Sequence, residues 1–259
     1  MIYNVVIANP AGNITAFVID EVHKNDYANI ANKIMSIPGY EIEQVGFIKT
    51  PTKSDIKGRF EMMGGEFCAN ASRAFGFYLA QKGITDDEFY IEVSGIMEPV
   101  KAFVDVEKST AGIELVVNKN ISELEYNGKK YPVVHLDGID HILAFEDSED
   151  VDLVNELIAM ANEKYNESAT GVMFLDREKV TMVPYVYVAD TDSLIKEGSC
   201  GSGTIASALY MCIAEGKDGC EYDIVQPSGS ISASIKVCDN SFIVRINGKI
   251  DSTTVEMDL

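Results

Sequence analysis

A chain of 259 residues with 46% hydrophobic content carries enough apolar material for one large core or two moderate ones. Its formal net charge of −20, with Lys and Arg together numbering only 21, excludes phosphate-backbone binding, which needs clustered cations to displace counterions. Five cysteines without a CxxC pair exclude a secreted disulfide framework, and His23, His135 and His141 stand in no zinc-ligand spacing, so neither a metal site nor a nucleic-acid partner is expected.

The opening stretch Met1 to Pro10 has no basic segment and breaks its apolar run within a few residues, so neither a signal peptide nor an anchor is expected. No run reaches membrane-spanning length, and the chain reads as a soluble cytoplasmic protein without a membrane partner. The first element is a polar turn at Gly12-Asn13 leading into a short apolar strand that ends at Asp20. A helical pattern covers 27–35, and a strand follows at Val45-Gly46-Phe47-Ile48. Cys68-Ala69-Asn70-Ala71-Ser72 then opens an apolar, helix-competent run through Ala80, with Val93-Ser94-Gly95 beyond it.

The same order returns in the second half. Gly138-Ile139-Asp140 leads into a strand ending at Asp147, a helical pattern covers 151–160, and Val172-Met173-Phe174-Leu175 reads as a strand. Cys200-Gly201-Ser202-Gly203-Thr204 opens the apolar run through Met211, and Pro227-Ser228-Gly229 follows at nearly the spacing of the first half. Any one pair of apolar segments matches by chance, but an ordered set does not. The expectation is an α+β protein of two pseudo-symmetric domains of like topology, 1–130 carrying Cys68 and 131–259 carrying Cys200. Each has strands around a helix that begins just after its cysteine, and the two meet at a cleft.

Cys212, Cys220 and Cys238 read as small buried hydrophobes. Cys68 and Cys200 differ, because exposed N–H groups and the helix dipole at a helix entrance stabilise a thiolate and attract anions. Small residues after each cysteine let a ligand approach the backbone. Two such entrances facing one amino acid would hold its α-carboxylate and place a thiol on each side of its α-carbon. A thiol with an ordinary pKa of about 8.5, lowered near a helix N-terminus, can take either protonation state near neutrality. The stretch from Gly198 to Gly203 lacks the lysine of a phosphate loop and any clean GxGxxG fingerprint, and nothing marks a pyridoxal lysine, so no cofactor is expected.

At Asn9-Pro10-Ala11-Gly12-Asn13, Gly65-Glu66-Phe67-Cys68-Ala69-Asn70-Ala71 and Ser199-Cys200-Gly201-Ser202-Gly203-Thr204 the sequence resembles the diaminopimelate epimerase superfamily. Within it, Glu43-Gln44-Val45-Gly46, Ser193-Leu194-Ile195 and Gln226-Pro227-Ser228-Gly229 make it most similar to histidine racemases that supply staphylopine-type metallophores. The resemblance implies a mostly antiparallel sheet wrapped around a central helix in each domain. It also implies an amino-acid substrate, Cys68 and Cys200 as the acid/base pair, and a homodimer. Asn13, Glu43 and Gln44 would line the substrate pocket, and the backbone of Ala69, Asn70, Gly201 and Ser202 would hold the carboxylate.

The departures concern the substrate. Ala69 and Ala71 replace glycines of the epimerases, and Ile139 and Thr170 replace asparagines. The arginine that epimerases carry on the strand before the second cysteine is missing, since Tyr185 to Asp190 contains no cation. A buried distal carboxylate needs such a partner, which disfavours diaminopimelate, although Lys196 lies nearby. Glu43 could accept an imidazole N–H; without the resemblance it reads equally well as a solvated loop carboxylate, and Gln44 and Asn13 as turn residues. The alternatives are a diaminopimelate epimerase, a non-catalytic amino-acid binding protein and a thiol redox protein. Binding without α-proton exchange would mark the second, and turnover of disulfides the third.

Overall fold

The computed structural model describes residues 2–85, 87–189, 192–239 and 241–259. Its first elements are β1 (Ile2–Asn9), β2 (Thr15–Val18), α1 (Tyr27–Met35), β3 (Gln44–Lys49), β4 (Gly58–Met62), α2 (Ala69–Gln81), β5 (Glu88–Val93), β6 (Val100–Asp105) and β7 (Thr110–Asn118). Then come β8 (Ile121–Tyr126), β9 (Lys129–Leu136), β10 (Ile139–Ala144), α3 (Val151–Tyr165), β11 (Ala169–Asp176), β12 (Thr181–Val188) and β13 (Ser193–Lys196). The chain ends with α4 (Gly201–Glu215), β14 (Gly219–Gln226), β15 (Gly229–Cys238), β16 (Ser241–Lys249) and β17 (Asp251–Asp258). No described helix is long and apolar enough to cross a membrane.

The chain divides into two compact units, Met1–Glu114 with Asn247–Leu259, and Leu115–Ile246. In the first, β1 runs antiparallel to β2 and to β17, β2 parallel to β3, β3 antiparallel to β4, β4 parallel to β5, and β5, β6 and β7 antiparallel in turn. In the second, β9 is antiparallel to β8 and to β10, β10 parallel to β11, β11 antiparallel to β12, β12 parallel to β14, and β14 antiparallel to β15. Parallel neighbours need a long crossover, and in both units α1 or α3 supplies the first and α2 or α4 the second. The duplication read from the landmarks is thus one topology used twice, mostly antiparallel and of the α+β class. The strand β13, paired to β12, is an addition of the second unit.

The division expected at residue 130 differs from these units at both ends. Strand β8 pairs with β9 over six residues and belongs with the second unit, whereas β17 pairs with β1 from Ile2↔Asp258 to Asn9↔Asp251 and belongs with the first. Strand β17 does for β1 what β8 does for β9, so the first unit takes its outermost strand from the far end of the chain.

Each sheet is covered on both faces. Helix α1 buries Tyr27, Ile30, Ala31 and Ile34, the one-sided spacing of an amphipathic helix, against Val5, Ile7, Ala16, Val18, Val45 and Phe47. Helix α3 repeats the spacing with Val154, Leu157, Ile158 and Ala161 against Val133, Ile142, Val172 and Phe174. The alternate residues of the same strands face the other way, toward α2 and α4. Phe17 and Phe60 meet Phe75 of α2 at ring separations of 5.6 and 5.0 Å. Every residue of α2 from Ala69 to Leu79 is buried, as is most of α4. A helix enclosed on all sides must carry small and apolar residues all round, which is why these two segments read as continuous apolar runs.

Candidate active site

Both cysteines are helix N-caps with nearly identical backbones. Cys68 precedes α2 at φ −124° and ψ 111°, and Cys200 precedes α4 at φ −126° and ψ 115°. The Cys68 Sγ accepts the amide hydrogen of Ala71 at 3.3 Å, and the Cys200 Sγ that of Gly203 at the same distance. In each helix a hydroxyl four residues on donates back to the cysteine carbonyl, Ser72 at 2.8 Å and Thr204 at 2.7 Å. A sulfur at this position takes the place of a Ser or Asp cap and sits where the helix favours negative charge.

The Ser-Gly landmarks hold the segments that lead into the cysteines. Ser94 Oγ donates to the carbonyl of Glu66 at 2.8 Å and accepts the amide of Met62 at 2.8 Å. Gly95 has φ +82°, and a Cβ there would overlap the backbone nitrogen of Phe67, beside Cys68. Gly95→Ala therefore combines left-handed strain with a backbone clash, and it should destabilise the protein by about 3 kcal/mol or more in chemical denaturation. In the second unit Ser228 donates its amide to the Gly198 carbonyl at 2.9 Å, and Cys200 donates its own amide to Gln226 Oε1 at 2.7 Å.

The predicted pocket residues of the first unit come together. Asn13 Nδ2 donates to Glu43 Oε2 at 2.8 Å, and Gln44 Nε2 donates to Asn13 Oδ1 at 2.6 Å and Thr15 Oγ1 at 2.7 Å. Asn70 Nδ2 approaches Asn13 Oδ1 at 3.4 Å, which ties the cluster to the first turn of α2, next to Ala69. Glu43 is half-buried; burial pushes its carboxyl up, and the bond from Asn13 opposes that shift. Glu66 accepts the Gly64 amide at 3.0 Å within its own turn.

The second unit is built differently around Cys200. Gly201 and Ser202 open α4, and Ser202 Oγ lies 3.5 Å from the Cys200 Sγ. Gln226 Nε2 donates to Thr204 Oγ1 at 2.9 Å. Cys200 is buried where Cys68 is partly exposed. Burial, and after it the negative charge of Glu197, push the Cys200 thiol well up, against the bonds from Ser202 and the Gly203 amide.

Four residues at these sites were not singled out from the sequence. Thr15 and Glu197 carry no local signal, since a polar residue beside a strand or turn is ordinary, and Gln226 stood only as part of the Gln226-Pro227-Ser228-Gly229 stretch that carries the resemblance, with no role of its own. Arg73 did carry one, an arginine inside the apolar run after Cys68, and it is fully buried. Lys196, the cation nearest the missing epimerase arginine, is paired with Glu149 at 2.6 Å and lies over the Tyr185 ring. Of the remaining cysteines only Cys212 is buried; Cys220 and Cys238 are half-buried, because they sit on β14 and at the end of β15 with one side toward solvent. Among the described residues no group of three or more His, Cys, Asp or Glu is placed to hold a metal. His135 bridges Asp140 at 2.6 Å and Ser122 at 2.7 Å, but the Ser122 hydroxyl also meets the Tyr165 hydroxyl at 2.6 Å, so the cluster clasps β8, β9, β10 and α3.

Two units of one topology, each wrapped around an enclosed helix, form a fold that solved chains of the racemase and epimerase type share. The chain superposes on a probable proline racemase from Agrobacterium radiobacter K84 with a TM-score of 0.69 at 13% identity, covering 99% of this chain and 92% of that one. A phenazine biosynthesis protein of the PhzF family from Bacillus anthracis gives 0.68 at 14% identity, with both chains covered in full. A hydroxyproline epimerase from Agrobacterium vitis gives 0.67 at 11% identity, covering 100% and 93%. At the level of sequence the match is narrower. A histidine racemase from Fusobacterium nucleatum is 35% identical over 240 residues, 85% of this chain and 84% of that one. One from Staphylococcus aureus is 28% identical over 258 residues, 95% and 93% of the two chains. The family model described as the histidine racemase CntK N-terminal domain matches residues 3–255, and the chain belongs to that family.

Proposed function

We propose that this chain racemises histidine without a cofactor, with Cys68 and Cys200 as the acid/base pair. The observation that supports this most is the matched pair of thiol N-caps, one in each unit, on backbones that differ by only a few degrees. In the proposed reaction the α-carboxylate binds at the amides that open α2 and α4, where the extra charge of the carbanion is also stabilised. A thiolate takes the α-hydrogen as the C–H bond breaks and its S–H bond forms. The other thiol gives its proton to the opposite face, and its sulfur is left as the thiolate. The return reaction uses the complementary protonation state.

The substrate reading rests on Glu43 and on the committed Lys196. A carboxylate oriented by Asn13 suits an imidazole N–H, and a second carboxylate in the substrate would find Lys196 already paired. Glu43→Gln keeps the shape and the Asn13 contact but removes the charge, so kcat/KM for histidine should fall about 10- to 100-fold, the worth of a hydrogen bond to a charged group. The homodimer and cytoplasmic location implied by the resemblance belong to the same proposal; sedimentation and fractionation check them.

The deciding experiment incubates reduced protein with L-histidine in D2O, and with LL-diaminopimelate in parallel, and follows the α-proton by NMR and the products by chiral separation. Deuterium uptake with D-histidine formation, and none with diaminopimelate, is expected. Exchange on diaminopimelate alone would point to the epimerase, and binding of histidine without exchange to an amino-acid binding protein.

A further inference from the structure

The pseudo-symmetry that pairs Cys68 with Cys200 fails at one buried position. Five residues after Cys68 stands Arg73; five after Cys200 stands Ile205, and neither side chain has measurable exposure. Arg73 donates through Nη2 to Asn70 Oδ1 at 2.9 Å and through Nη1 to the Ala111 carbonyl at 3.4 Å, while its Nε lacks a partner. Among the described residues no carboxylate neutralises it, and a buried guanidinium without one is expensive. Burial lowers its pKa to about 10, and the one charge that opposes this is the Cys68 thiolate. That attraction is mutual.

The remaining surroundings do not compensate. Helix α2 packs against β1, β2, β5 and β6, and their inward residues, among them Val6, Thr15, Phe17, Phe89, Ala102 and Val104, carry no charge. The acids of this half-site are Glu66, turned to the Gly64 amide, and Glu43, turned to Asn13. Among the described residues the one charge acting on Cys200 is the carboxylate of Glu197, and His141, on the face of β10 turned to α4, is held neutral by burial.

We propose that Arg73 is a positioning residue that makes Cys68, and not Cys200, the thiolate of the unliganded protein, while its bond to Asn70 fixes the first turn of α2 against Asn13. The inference rests on the two-thiol reading. It adds a resting direction: the free protein is poised to accept the hand of substrate whose α-hydrogen points at Cys68, and the opposite hand needs the proton redistributed first. An arginine suits this because it stays charged when buried, where a lysine would more readily lose its proton.

The test reads the thiols directly, without turnover. Reduced wild-type protein, Arg73→Gln and Arg73→Lys are treated with iodoacetamide over a range of pH, and modification of Cys68 and Cys200 is followed separately by peptide mass spectrometry. The pH midpoint is compared rather than the bare rate, since Cys200 is the less accessible sulfur. In the wild type the Cys68 midpoint should lie below that of Cys200. In Arg73→Gln, which keeps a donor for Asn70 but loses the charge, modification of Cys68 at neutral pH should slow at least about tenfold with Cys200 unchanged, and Arg73→Lys, whose ammonium holds its proton less firmly when buried, should recover only part of the loss. An unmoved Cys68 midpoint in folded Arg73→Gln overturns the proposal. So does a wild-type Cys200 midpoint at or below that of Cys68, which decides the matter even if the glutamine variant does not fold. Full turnover by Cys68→Ala or Cys200→Ala would refute the acid/base pair and leave the thiol titrations standing.

Discussion

Alanine at Cys68 or at Cys200 should lower histidine racemisation by about 10²- to 10⁴-fold, the usual worth of a positioned acid or base. Inversion needs a proton taken from one face and another delivered to the opposite face, so one remaining thiol cannot complete the cycle. It can still exchange the α-hydrogen. Cys200→Ala, which keeps the thiol beside Arg73, should therefore incorporate deuterium into one enantiomer of histidine without forming the other. Both variants should fold, because what each helix loses is a capping sulfur that accepts an amide at 3.3 Å, and capping interactions are worth about 0.5–2 kcal/mol. Circular dichroism and chiral chromatography check the two halves of this expectation. Undiminished turnover in both variants would remove the thiols from the mechanism.

Acid should weaken the fold through His141. The ring is fully enclosed, neither of its nitrogens has a partner, and it lies so close to Gly171 that a Cβ there would overlap it. Burial lowers its pKa from 6.5 to about 3. Between those values the unfolded chain binds a proton at this residue and the folded chain does not, so stability is fully present above the unfolded pKa and is lost as pH falls toward the folded one. The loss over the whole window should be on the order of 4–5 kcal/mol. His141→Leu removes it, while the carboxylates that titrate in the same range act alike in both proteins. Urea denaturation of the two proteins at a series of pH values measures the difference, and parallel stability curves for wild type and variant would show that His141 is not the group responsible.

Much of this architecture is written locally. The apolar spacing of 27–35 is α1 to the residue, and 151–160 is the first two-thirds of α3, because a one-sided helix carries its own period. The two cysteine segments announce helix starts since small residues and a back-bonding hydroxyl are local requirements of an enclosed N-terminus. Their recurrence in one order, with Ser-Gly turns at nearly one distance, was enough to read a duplicated α+β fold and to single out Cys68 and Cys200, whereas Asn13, Glu43 and Gln44 were marked only by the family resemblance.

What tertiary structure alone decided concerns partners remote in sequence. Nothing in β17 says that it lies on β1, because an edge strand's register is set by the strand it meets and not by its own pattern, and the compact units differ from the division expected at 130 for that reason. Arg73 in an apolar run could as well have extended its guanidinium to solvent; only the packing of α2 within its sheet encloses it. The difference between a partly exposed Cys68 with a cation behind it and a buried Cys200 beside Glu197 has the same origin. Two segments that read alike along the chain acquire different chemistry because burial and charge are properties of the surroundings, and distant residues supply those surroundings.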